Sequence, residues 1–272
     1  MKFLEKLTQA ICQNDSLLCV GLDPDPDKLP ASARATDHPV LYFNRQIIDA
    51  TADLVCAYKP NFAFYGALGA CGWTTLKATL DHIPPSIPVI LDAKVGDIGS
   101  TAERYAAMFL DELGADALTV NPYMGQDAVA PFLQRREKGV FLLCLTSNKG
   151  ADDFEKQHLE DGPLYQRVAR KAREWNAAGN CGLVVGATQP EAIQGIRALV
   201  PDMPLLIPGV GAQGGDLEAA VARGQDASGA GLLINASRAV LYASDGADFG
   251  AAARQVASQL RQDINFHRSH SG

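Results

Sequence analysis

Several things are missing from this 272-residue chain, and each absence removes a class of protein. No apolar run approaches the ~20 residues that a membrane span requires. The start, Met1-Lys2-Phe3-Leu4-Glu5-Lys6-Leu7, alternates charged and apolar residues and lacks the apolar stretch of a secretory signal. The six cysteines (Cys12, Cys19, Cys56, Cys71, Cys144 and Cys181) contain no C-x-x-C pair. Cys19, Cys56 and Cys144 sit inside apolar runs, so they read as buried, reduced thiols of a cytoplasmic protein. The five histidines follow no metal-ligand spacing, and no metal site is expected. Basic residues are in deficit, with 24 Lys and Arg against 31 Asp and Glu, for a net charge of −7. That balance argues against a nucleic-acid polymer or an anionic membrane as partner. An anionic small molecule would still need a local cationic pocket. Glycine (25) and proline (15) are spread along the chain rather than clustered, so no linker is indicated. With 47% hydrophobic residues, a single domain over 1–272 is expected.

What is present is an alternation. Short apolar runs over 16–23, 54–58, 87–91, 117–120, 139–145, 182–186, 204–207 and 230–234 read as strands. Helical patterns lie between and around them, including 4–11, 42–52, 73–82, 101–110, 164–178, 190–200 and 249–266. Eight strand–helix repeats in about 250 residues predict an α/β fold of the (β/α)₈ TIM barrel type. A doubly wound open sheet is the alternative, but the turn after the first strand reads Gly21-Leu22-Asp23-Pro24 rather than G-x-G-x-x-G. The segments 152–162 and 224–229 read as surface insertions, and Tyr123 and Met124 as barrel packing.

The third strand carries the densest chemistry, Asp92-Ala93-Lys94-Val95-Gly96-Asp97-Ile98-Gly99-Ser100-Thr101. In an extended segment residues i and i+2 share a face, so Asp92 and Lys94 should point the same way. A barrel places strand ends at one mouth. That mouth would present Asp23, Lys59, Asp92, Lys94 and Asp97 from the first three strands. The last two strands lead into Pro208-Gly209-Val210-Gly211-Ala212-Gln213-Gly214-Gly215 and Ser237-Arg238. Glycine-rich turns after strands seven and eight are where barrels commonly bind phosphate, and Arg238 adds a planar cationic fork. Gln213 could reach over the anion.

With these residues in view, the chain resembles the orotidine 5′-phosphate decarboxylase family, in its longer bacterial subgroup. The resemblance rests on Asp92-x-Lys94-x-x-Asp97-Ile98 with Thr101, on Lys59, Asp23 and Ser147, and on the 208–215 and 235–238 segments. It spans roughly 17–242, and Val95 departs from the basic residue common in that subgroup. The resemblance implies conversion of orotidine 5′-phosphate to UMP without metal or organic cofactor. It implies Lys59, Asp92, Lys94 and Asp97 as a catalytic Lys–Asp–Lys–Asp array, with Lys94 stabilising and protonating the C6 carbanion. Asp23, Ile98, Thr101, Ser147, Pro208, Gly209, Gln213, Ser237 and Arg238 would bind substrate: Asp23 at the ribose, Ser147 at the pyrimidine edge, Gln213 and Arg238 at the phosphate. It also implies a homodimer in which Asp97 and Thr101 serve the neighbouring subunit's site. Two competitors share parts of the pattern. Sugar-phosphate barrels that use Mg²⁺ have the third-strand motif but not Lys59-Pro60, Ser147-Asn148 or the Gln213 loop. A non-catalytic nucleotide-binding barrel would keep the pocket but has no reason to keep all four charges.

Overall fold

The structure, a computed structural model, describes residues 1–210 and 215–269. Its eight main strands are β1 (Leu18–Leu22), β2 (Ala57–Pro60), β3 (Ile90–Val95), β4 (Ala117–Val120), β5 (Gly139–Leu145), β6 (Cys181–Val185), β7 (Leu205–Pro208) and β8 (Leu232–Ala236). Every ladder is parallel, in the order β2-β1-β8-β7-β6-β5-β4-β3. The ring closes between β2 and β3, where the Tyr58 N–H donates to Pro88 O at 3.0 Å and Asn61 bridges to Asp92. This is the (β/α)₈ barrel expected from the alternation. Strands such as Leu18–Leu22 and Ala117–Val120 are buried at every position, because helices cover the outside and side chains fill the inside.

The helices bury one stripe each. Pro39–Thr51 turns Val40, Phe43, Ile47, Ile48 and Thr51 inward, starting on a proline that suits the first turn. Phe43 stacks on Phe249 at 5.2 Å and on Tyr242 at 6.2 Å, and so docks the carboxyl-terminal helix Phe249–Ser269 against the first barrel repeats.

Three strand boundaries differ from the apolar runs. The run expected as strand two starts later and continues through Lys59 and Pro60, in register with Gly21 and Leu22. Pro60 is tolerated because its missing N–H falls on the side toward β3, where pairing is sparse. β3 extends past Leu91 to take in Asp92, Ala93 and Lys94. β8 begins two residues late, after Gly231 makes a left-handed turn (φ +68°).

The two supposed surface insertions are both anchored. Around 224–231 the buried Arg197 guanidinium donates to the carbonyls of Gly224 (2.8 Å), Met203 (2.7 Å) and Gly231 (2.7 Å), tying the entry of β7 to that of β8. After β5, a 3₁₀ turn (Lys149–Asp153) and a small hairpin (His158–Leu159 with Gly162–Pro163) fold back on the barrel mouth. Tyr123 and Met124 do not pack into the barrel. They are 77% and 44% exposed, since the loop after β4 turns outward there.

Candidate active site

A cavity of about 750 Å³ opens at the carboxyl ends of the strands, within the usual range for a small-molecule site. Asp23, Lys59, Asp92, Lys94, Ser147, Pro208, Gly209, Ser237 and Arg238 line it. Nine residues expected from sequence thus converge from six strand ends.

The charged wall is already assembled. Lys59 Nζ donates to Asp92 Oδ2 at 3.0 Å, and Lys94 Nζ donates to Asp92 Oδ1 at 2.6 Å. Lys59 and Asp92 are buried, whereas the Lys94 side chain is 45% exposed and faces the cavity. Burial would push the Asp92 carboxyl up, but the two ammonium groups outweigh it and hold it well below the usual carboxylate range. Burial would likewise lower the Lys59 ammonium, yet Asp92 and Asp23 prevail and hold it above the ordinary lysine value. Burial also raises the thiol of Cys19, on the strand before Asp23, to about 12, so that sulfur stays neutral beneath the array.

Asp92 and Lys94 do meet, but not through simple alternation. Lys94 has φ +48°, in the left-handed region, and the β3–β4 ladder shifts register between Leu91 and Val95. A bulge, rather than a flat strand, aims the ammonium. The Thr119 hydroxyl on β4 accepts from the Ala93 and Lys94 N–H groups at 3.1 and 3.0 Å and donates to Asp92 Oδ1 at 2.8 Å.

The opposite wall carries polar groups with few partners. Ser147 Oγ, Asp23 Oδ1 and Asn235 Oδ1 are buried without a hydrogen-bond partner among the described residues. Arg238 is exposed at the cavity edge, at the head of a short helix (Arg238–Leu241), and has no ion pair among the described residues. Glycines make room for two of these groups. A side chain on Gly21 would collide with Ser237 Oγ, and one on Gly186 with Ser147 Oγ. Val210 bridges to Gly215, and Gly215 N–H donates to Gly209 O at 3.2 Å. Gln213 falls outside the described residues.

Asp97, Ile98 and Thr101 are not part of this cavity. Asp97 caps the next turn, accepting from Ile98 N–H at 2.8 Å, and Ile98 is 57% exposed. Just before them in the chain, Gly96 lies against Met124 of the loop after β4.

Other residues in and behind the cavity wall had no sequence signal. Lys28 lies beside Asp25 (3.0 Å) and over the Tyr242 ring (5.9 Å). Tyr242 Oη accepts from Asp25 N–H at 2.7 Å and so ties the loop after β1 to the Arg238 helix. Glu155, from the segment after β5, accepts from Thr146 N–H at 2.7 Å and lies 2.9 Å from the Thr146 hydroxyl, bracing the loop that carries Ser147. A capping-type turn or a bracing carboxylate contributed from a distant element leaves no periodic trace.

Counting the cavity's charges, Lys28, Lys59, Lys94 and Arg238 face Asp23, Asp25 and Asp92. The pocket is cationic although the chain is acidic. Fold and site together define a (β/α)₈-barrel enzyme whose polar groups meet at one mouth and suit an anionic small molecule.

Comparison with known proteins gives the family: the chain belongs to the orotidine 5′-phosphate decarboxylase / HUMPS family, whose profile matches residues 16–255. It is 55% identical to an orotidine 5′-phosphate decarboxylase of Cellvibrio japonicus, over 99% of this chain and all of that protein. It is 54% identical to the same enzyme of Azoarcus sp., over 98% of this chain and all of that protein. A solved structure of Leishmania donovani OMP decarboxylase superposes with a TM-score of 0.88 at 41% identity, covering 99% of this chain and all of that one.

Proposed function

We propose that the Lys59–Asp92–Lys94 array carries out the chemistry of this family in this chain. The chain decarboxylates orotidine 5′-phosphate to UMP and CO₂ in pyrimidine biosynthesis. One observation supports the residue-level reading above the others: a cavity-facing ammonium, Lys94, is held 2.6 Å from a buried carboxylate that a second, buried ammonium also grips.

The reaction breaks the bond between C6 of the pyrimidine and its carboxylate carbon. The electron pair stays on C6 in an sp² orbital that no adjacent carbonyl can delocalise. Lys94 stabilises that charge as it develops, because a fixed cation in a dry site needs no reorganisation. Its Nζ–H then passes a proton to C6, giving UMP, and the amine regains a proton from solvent. Asp92 stands near the departing carboxylate, so repulsion is relieved as neutral CO₂ leaves. No step draws on a metal or organic cofactor.

Asp23 accepts from ribose hydroxyls and Ser147 reads the pyrimidine edge, which gives both orphaned polar atoms a partner. Arg238, with Ser237 and the Pro208-Gly209 turn, holds the phosphate, and Gln213 joins them. Binding energy from that remote phosphate lowers the barrier at C6.

The reading includes a homodimer, in which Asp97, Ile98 and Thr101 complete the partner's site and Asp97 closes the charged array. It is supported by the position of these residues outside their own cavity, by the exposure of Ile98, and by the exposed Met124, which lies against the neighbouring Gly96. It also takes 1–272 as one catalytic domain in the cytoplasm, in keeping with six free cysteines. Among the described residues no helix is long and apolar enough to cross a membrane.

The first test follows loss of the orotate ultraviolet band in EDTA, with wild type beside Lys94→Ala. Turnover by the wild type alone is expected, with at least a ~10³-fold loss in the variant. Turnover that chelator abolishes would overturn the metal-free reading. The second mixes Lys94→Ala with Asp97→Ala subunits. Hybrid dimers contain one intact site, so activity should reappear on mixing; its absence would refute the shared site.

A further inference from the structure

β3 reaches its catalytic residues through an irregularity. It takes four steps from Leu91 to Val95 while β4 takes two from Leu118 to Val120. The extra residues bulge out, and Lys94 occupies a left-handed backbone conformation that a residue with a side chain adopts only where its surroundings enforce it. The bulge also takes the Ala93 and Lys94 N–H groups off the ladder.

One side chain handles all of these consequences. Thr119 Oγ1 accepts from both stray N–H groups, at 3.1 and 3.0 Å, and donates its proton to Asp92 Oδ1 at 2.8 Å. A hydroxyl has one proton and two lone pairs, so its whole capacity is used. Thr119 is 1% exposed and does not line the cavity. It cannot touch substrate, yet it touches the backbone of Lys94 and the carboxylate that grips the Lys94 ammonium.

We propose that Thr119 is a positioning residue for decarboxylation: its hydroxyl pins the β3 bulge to Asp92 and so sets where the Lys94 ammonium stands over C6. The inference rests on the reading of Asp92 and Lys94 as catalytic. Asp92 Oδ1 receives Thr119 and Lys94 together, so losing the hydroxyl frees that oxygen and the strand segment behind Lys94 at once. A cation aimed at a carbanion is sensitive to displacement of about 1 Å, which can change rates by ~10²-fold. Ground-state binding of the phosphate and ribose, made elsewhere in the cavity, should hardly notice.

The test compares Thr119→Val, which keeps the shape and removes the hydroxyl, with Thr119→Ser, which keeps the hydroxyl. Thr119→Val should lower kcat by about 10- to 100-fold, with KM and UMP affinity within about threefold of wild type. Exchange of the UMP C6 hydrogen with deuterated solvent, which uses the same Lys94 proton in reverse, should fall in step with kcat. Thr119→Ser should recover kcat to within about fivefold. Wild-type kcat in Thr119→Val would overturn the proposal. So would losses in both variants that track a lowered thermal midpoint, since those would mark mere packing. Should Thr119→Val not fold, Thr119→Cys replaces the hydroxyl by a poor hydrogen-bonding thiol, and wild-type kcat there would be equally fatal. Lys94→Ala in the same assay separates the two readings. If it is active, the catalytic assignment fails; if it is dead while Thr119→Val is normal, only the role of Thr119 falls.

Discussion

The two walls of the cavity are built on opposite plans. On the β2–β3 side, Lys59, Asp92 and Lys94, backed by Thr119 on β4, satisfy one another within the protein, at separations of 2.6 to 3.0 Å. On the β5–β8 side, Ser147 Oγ and Asn235 Oδ1 are buried without partners among the described residues, and Arg238 stands exposed. The contrast separates two tasks. In the proposed mechanism the first wall stabilises a short-lived carbanion, and such charges have to be in place beforehand, because reorganising them during reaction would forfeit the benefit. Groups that only recognise a ligand can take their partners from it. Buried charge without a partner is expensive, which is why the first wall is also the more dependent on its neighbours.

Breaking the first wall should therefore produce the largest effect after loss of Lys94 itself. Asp92→Asn leaves the buried Lys59 ammonium without its counter-ion and should cost about 3–5 kcal/mol of stability, read from urea unfolding. Lys59→Met combined with Asp92→Asn should recover much of it. The pH dependence follows from the two shifts. Asp92 sits below its ordinary value in the folded protein, so its contribution is complete above about pH 4 and fades as pH falls further. Lys59 sits above its ordinary value, so its contribution is complete below about pH 10 and fades as pH climbs through the raised value. The stability gap between wild type and the double variant should accordingly be flat from about pH 5 to 9 and narrow beyond both ends.

Changes to the second wall should leave stability alone and act on binding. Arg238→Ala should raise KM by about 10- to 100-fold, the size of one or two charged hydrogen bonds, with a smaller change in the thermal midpoint than Asp92→Asn gives. A variant whose kcat collapsed while KM held would remove the division between the walls. The gentlest test lies in the loop between them. Glu155→Ala frees Thr146 and lets the Ser147 loop wander, so KM should rise by about three- to tenfold at nearly constant kcat. A normal KM would return the segment after β5 to the status of a surface insertion.

How much could be read beforehand depends on the range of the interactions. β4 and β5 have the bounds that their apolar runs predicted, because burial on both faces leaves a continuous signal. The mouth residues Asp23, Lys59, Lys94, Ser147 and Arg238 were also visible, since a barrel puts every strand's end in one place. Alternation suggested that Asp92 and Lys94 would share a face, and they do meet; the means, a left-handed lysine within a bulge, carries no pattern in the residues. Glu155 and Thr119 leave no trace in the sequence for the same reason, since each matters only for what it reaches on another element. Tyr123 and Met124 are exposed rather than packed in the barrel, because apolar character alone does not separate a core position from an outward rim.

By itself, then, the order of residues determined the eight strands, their common direction and the set of charges delivered to one mouth, because periodicity and strand ends are local properties. Only the tertiary structure decided how those charges are paired, which polar atoms are left for a ligand, and which side chain on a neighbouring strand holds the bulge. These depend on distances between residues far apart in the chain, such as the 2.8 Å from Thr119 to Asp92, and nothing local encodes a distance of that kind.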